Sequence, residues 1–216
     1  MISPSSTLGE AHKGLQRLVS CSPPIPVLTT VGIHPYHVNE IVDDGSSVNS
    51  DTMDVKQRLE FSKTTLLSIL KNPLYQPWMS AVGECGLDAS EGFPTIDDQL
   101  PWFEFQIQVA QELQLPLFIH ERLAFSDTMR LLENVTVPTI IHCFTGTREE
   151  CKSYVDRGFF ISLSGYILKT DEGSQEVRRC LEEGNLPLER LMIETDAPYM
   201  GYAGCRSLYL GYIEEY

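Results

Sequence analysis

The stretch 191-LMIETDAP-198 sets three apolar residues of strand character against Glu194, Thr195 and Asp196, and Pro198 then stops the run. Burying a carboxylate with no partner costs roughly several kcal/mol, so such groups are paired, protonated or bound to a cation. A strand that reads as interior and ends in two acids needs a neutralising partner, and the rest of the chain has to supply it.

Five similar runs precede it: 29-TTVGI-33, 79-MSAVGEC-85, 116-PLFIH-120, 139-TIIHCF-144 and 159-FFISLSG-165. Most are separated by helical spacing. In 98-DQLPWFEFQIQVAQELQL-115, Phe103, Ile107, Ala110 and Leu113 share one helix face. The segment 121-ERLAFSDTMRLLEN-134 reads as a second helix with Leu123, Met129 and Leu132 inward. Thr147 and Glu150 form a capping box at the start of a third. Another helix is expected over Val55–Leu70, after the polar insertion 41-IVDDGSSVNSDTMD-54, which reads as a surface loop. Strands alternating with helices, and nearly continuous apolar strands, indicate a parallel sheet covered on both faces. With 216 residues and no linker or internal repeat, one domain over 1–216 is the expectation.

Composition narrows the classes. No apolar run approaches the ~20 residues of a membrane span, and the N-terminus lacks the apolar core of a signal peptide. The six cysteines form no C-x-x-C pair. Reduced thiols in the cytoplasm, or also the nucleus, are therefore the expectation. A formal charge of −14 argues against a protein that grips long stretches of nucleic-acid backbone through lysine and arginine. It leaves room for an enzyme that holds one phosphate through bound cations.

The polar residues fall in a pattern. AVG runs into Glu84, LFI into His120, II into His142 and IET into Asp196; TVGI leads to His34, with His37 close behind. In a (β/α)8 barrel the carboxyl ends of the strands meet at one face, where active sites sit. Glu84, His120, His142 and Asp196 would converge there. Mixed imidazole and carboxylate donors suit Zn²⁺ or Mn²⁺ better than an all-oxygen calcium cage. A cation would also neutralise Asp196 at the end of its strand. Each histidine taken singly reads as a hydrogen-bonded structural residue, and on spacing alone both accounts stay open. Glu194, on the same side as Asp196, is either a partner that orients a ligating histidine or a salt-bridged acid.

At these residues the chain resembles the TatD family of metal-dependent DNases, within the amidohydrolase-like barrels. The matching stretches are 31-VGIHPYHV-38, 82-VGECGLD-88, 116-PLFIHER-122, 141-IHCFTGTREE-150, 158-GFFISLSGYI-167 and 191-LMIETDAPYM-200, in family order across residues ~10–200. The resemblance implies a TIM barrel that hydrolyses DNA phosphodiester bonds, trimming from the 3′ end. It assigns Glu84, His120, His142 and Asp196 as ligands of one or two divalent ions, Mg²⁺, Mn²⁺ or Zn²⁺. Asp196 also accepts the proton of the attacking water, and Glu84 bridges to a second ion. His34, His37 and Arg122 fall where substrate binds, and DNA strand ends are the implied partner. Arg122 reads equally as a surface arginine at a helix start, and Asp88 as a helper near the site or a turn-forming acid.

The chain departs from the family at both ends. The family's first strand has no counterpart here, Met1-Ile2 matches only the end of its second, and no H-x-H pair is present. After Met200 the family's final helix has no clear match, and Leu123 replaces a frequent acid. The expectation is thus an incomplete (β/α)8 barrel of at most seven strands, without its first strand and final helix. Unpaired barrel edges would invite self-association. Two other functions remain open: metal-dependent hydrolysis of a small ester, lactone or amide, and a catalytically inactive short form acting by binding.

Overall fold

A computed structural model of the chain describes residues 1–21, 23–40, 53–197 and 200. Seven strands and six α-helices alternate along them, in two units that divide at Thr139/Ile140. No helix among these residues is long and apolar enough to cross a membrane.

In the first unit, β1 (Ile2–Ser3), β2 (Leu28–Val31), β3 (Met79–Asp88) and β4 (Leu117–Arg122) pair in that order, all parallel. Residues 81–88 of β3 are buried without a break, as a strand covered on both faces requires. The helices are α1 (Leu8–Cys21), α2 (Val55–Leu70), α3 (Ile96–Leu113) and α4 (Phe125–Leu131). Both α2 and α3 open on capping boxes, Asp54 with Gln57 and Thr95 with Asp98, which satisfy the first free N–H groups. Leu15, Leu66, Phe103, Leu117 and Ile119 are fully buried and form the centre of this unit's core.

The second unit contains β5 (Thr139–His142) from Ile140 onward, with β6 (Phe160–Leu163) and β7 (Leu191–Ile193) parallel beside it. Helix α5 (Arg148–Asp156) starts at the expected Thr147–Glu150 capping box, and Asp171 caps α6 (Glu172–Glu182). The Arg148 guanidinium ties the two helices by contacting Glu176 and Glu183, each at 2.9 Å.

Three expectations need correction. Strand β3 runs past Glu84 to Asp88, so Glu84 lies in mid-strand rather than at an end. Gly83 and Gly86 make this possible: both have strongly positive φ, and a Cβ on Gly86 would overlap the carbonyl oxygen of His120 on the adjacent strand. Leu123 is 79% exposed, because the chain turns there through a left-handed conformation (φ 53°) before α4 begins at Phe125. Strand β7 ends at Ile193, three residues short of Asp196, which itself has φ 50°. The polar insertion at 41–52 lies outside the described residues.

Candidate metal centre

The first unit brings His34, Glu84 and His120 together, one donor atom from each lying within 4.8 Å of the others. His34 follows β2, Glu84 lies in β3 and His120 in β4, three neighbouring strands. The Glu84 carboxylate is the hub: its Oε1 is 3.3 Å from His34 Nε2 and 3.2 Å from His120 Nδ1. The opposite edge of the His120 ring meets Asp88, with Nε2 to Oδ2 at 2.6 Å.

These contacts decide which atoms can meet a cation. Burial pushes the Asp88 carboxyl up, but hydrogen bonds from His120 and from Ser90 outweigh it, and the group sits below the ordinary carboxylate range. Asp88 is therefore an anionic acceptor, and the 2.6 Å contact places the proton of neutral His120 on Nε2. Nδ1 then turns a lone pair toward the Glu84 carboxylate, and two acceptors facing one another at 3.2 Å attract a shared proton or a divalent cation. A carboxylate that holds a histidine in the tautomer needed for ligation is the usual support for such a ligand. The donor set thus fits a divalent ion.

His34 is different. Its Nδ1 accepts the Tyr36 N–H at 3.2 Å, so in the neutral ring the proton lies on Nε2, facing Glu84. Burial, only partly offset by Glu84, lowers its pKa and favours that neutral form. In this arrangement His34 offers a hydrogen bond; it offers a lone pair only if the Tyr36 contact breaks. His37 pairs with Glu40 at 2.6 Å. Arg122 closes β4 in register with Asp88, and its buried Nε has no hydrogen-bond partner among the described residues.

Two residues not singled out from the sequence hold the frame. Gln99 and Gln106 on the inner face of α3 are fully buried. Gln99 bonds both backbone groups of Asp88, accepting its N–H at 2.8 Å and donating to its carbonyl at 2.7 Å. Gln106 does the same to Ile33, the residue before His34. A seven-residue spacing of glutamines on an otherwise apolar face was the available signal.

In the second unit, buried His142 ends β5 with its Nδ1 3.6 Å from Glu194 Oε2. The Cys143 thiol is pushed up, chiefly by burial and then by the negative charges of Asp196 and Glu194. Glu194 thus lies beside His142, and among the described residues the group with metal-ligating spacing is His34, Glu84 and His120. A cavity of about 190 Å³ in the first unit, lined by His12, Asn72 and Tyr75 among others, shares no residue with the Glu84 cluster.

Comparison with known proteins identifies the family and the fold. The family description "TatD related DNase" matches residues 1–215. A Citrobacter koseri protein named 3′-5′ ssDNA/RNA exonuclease TatD is 35% identical over 194 residues, covering 88% of this chain and 63% of its own length. Its Salmonella typhimurium namesake is 41% identical over 175 residues, 80% of this chain and 58% of the relative. The chain thus spans about three fifths of the length of these relatives. The crystal structure of a TatD family hydrolase from Entamoeba histolytica superposes with a TM-score of 0.72 at 27% identity, covering all of this chain and 65% of the other. The fold class is accordingly α/β of the TIM-barrel type.

Proposed function

Because the chain belongs to the TatD related DNase family, we propose that it is a metal-dependent nuclease that trims single-stranded DNA or DNA ends from the 3′ side. The observation that carries this reading is the clamped His120 ring, held by Asp88 at 2.6 Å and turned toward Glu84 at 3.2 Å. RNA is a second candidate substrate, since relatives bear the name of an ssDNA/RNA exonuclease.

Glu84 and His120 in the first unit, and His142 and Asp196 in the second, are the proposed ligands, carried over from the sequence motifs. A divalent ion held by such groups, Mg²⁺, Mn²⁺ or Zn²⁺, acidifies a water and polarises a phosphoryl oxygen. The residues do the rest. Asp88 fixes the His120 tautomer; Asp196 would take the proton of the attacking water, and Glu84 would serve a second ion. His34 turns an Nε2 proton into the cluster, able to meet a phosphate oxygen. Arg122, at the end of β4 in register with Asp88, is proposed as a second phosphate donor through its guanidinium, and the His37 ring is 6.2 Å from that of His34. Residues 1–216 act as one hydrolase domain in the cytoplasm, or also the nucleus, and self-association is a proposal resting on seven described strands where a closed barrel has eight.

Digestion of a DNA with a single-stranded 3′ tail, labelled at either end, tests the function. Laddering from the 3′ end that needs Mg²⁺ or Mn²⁺, stops with EDTA and is lost in Asp196→Asn is the expected result. A folded wild-type chain that leaves the DNA intact overturns it.

A further inference from the structure

We infer that Tyr36 and Phe93 form a stacking platform for an unpaired nucleobase beside the Glu84–His120 pair. This rests on the nuclease reading above and extends it to how the strand end is held. Phe93, in the loop between β3 and α3, lies nearly parallel to the His120 ring, with centroids 6.2 Å apart and planes 17° apart. It also tilts against His34 at 6.0 Å. Tyr36 stands edge-on to Phe93 at 5.3 Å and to His37 at 5.2 Å. The result is a continuous aromatic surface leading from the candidate ligands to solvent. Phe93 is half-buried. Tyr36, at 49% exposure, is the only aromatic among the large, solvent-exposed apolar side chains of the described residues.

Charge makes such a surface necessary. The segments around it, 32–40, 84–95 and 120–125, contain one permanent cation, Arg122, against Glu40, Glu84, Asp88, Glu91 and Glu121. Backbone phosphates along a strand find little attraction there, and a chain of net charge −14 gives no favourable long-range field. Stacking needs no such field. It is worth a measurable factor per base, and it tolerates any sequence because every base has a π-face. It also demands a base free of its neighbours, which a single-stranded or frayed end supplies and a closed duplex does not. The platform therefore selects unpaired ends by a physical requirement rather than by reading base edges.

The test uses the full chain and two matched 3′-tailed oligonucleotides, one ordinary and one with abasic sugars at its last nucleotides. Wild type is expected to favour the ordinary tail in kcat/KM by on the order of 10-fold or more. In Tyr36→Leu that ratio collapses toward one, and in Tyr36→Phe, which keeps the ring, it is restored. Phe93→Leu is expected to weaken cleavage of both substrates, because Phe93 also packs on His120, and to lower the ratio as well. An unchanged ratio in both leucine variants overturns the platform while leaving the nuclease reading intact. Failure of wild type to cut either substrate overturns both.

Discussion

Gln106 bonds both backbone groups of Ile33, accepting the N–H at 2.7 Å and donating to the carbonyl at 3.1 Å. A helix side chain thereby stands in for a strand neighbour and fixes the residue immediately before His34. Replacing it with leucine leaves a buried N–H and a buried C=O without partners, at a cost of about 1–3 kcal/mol. Urea unfolding of Gln106→Leu should show a lowered midpoint, and a midpoint equal to wild type would mean that the Ile33 groups find other partners.

On the proposed function, Asp88 would act on the metal through His120, which it holds at 2.6 Å. Asp88→Asn keeps the shape of the contact but removes the charge that holds the proton on Nε2. Partners of this kind typically contribute 10–100-fold to metal affinity. Titration of the variant with Mn²⁺ should show a loss on about that scale, with the fold intact by circular dichroism. Unaltered affinity would detach Asp88 from the metal centre.

The close approach of β3 and β4 depends on Gly86. With φ 146°, and with His120 backbone where a Cβ would stand, alanine at 86 combines torsional strain with overlap. Such strain costs on the order of 1–3 kcal/mol before the overlap is counted. Gly86→Ala is expected to unfold at distinctly lower urea concentration or to accumulate as insoluble chain. Gly92→Ala separates the two causes, since φ there is 91° but a Cβ meets no neighbour, so it carries torsional strain without overlap and should unfold at higher urea than Gly86→Ala.

Much of this was legible in the sequence. An apolar run that stops at a histidine marked His142, which ends β5, and His120, past which β4 continues to Arg122, and the barrel reading implied that Glu84 and His120 would converge. The role of Asp88 was left between a helper and a turn-former, and the structure gives one oxygen to each: Oδ2 to His120 and Oδ1 to the Ser90 N–H. Periodicity could not find Gln99 or Gln106, because it counts apolar positions and treats a buried amide as an interruption. Nor could it find the end of β3, since the glycines that prolong the strand look like a turn signal. The tautomer of His34 depends on a single backbone N–H, and no linear pattern encodes that.

The α5–α6 link sets a pH dependence. Hydrogen bonding to Arg148 is the main cause that lowers the Glu176 carboxyl, with Arg179 adding to it. A folded-state value below the unfolded one contributes stability above the unfolded value of about 4.3, and that contribution is lost as the pH falls through the folded value. Glu176→Gln should therefore melt below wild type at about pH 6, and the two curves should converge at about pH 3. Parallel curves across that range would show that the bridge contributes nothing to folding.

The most direct test of the account measures Mn²⁺ bound to the full chain, by electron paramagnetic resonance, together with 3′-tail cleavage in the same samples of wild type and Glu84→Gln. Glu84 is the hub of the cluster, so bound metal and cleavage are predicted to fall together in the variant. A Glu84→Gln protein that binds Mn²⁺ and trims DNA as wild type does would contradict the assignment of this cluster as the metal centre.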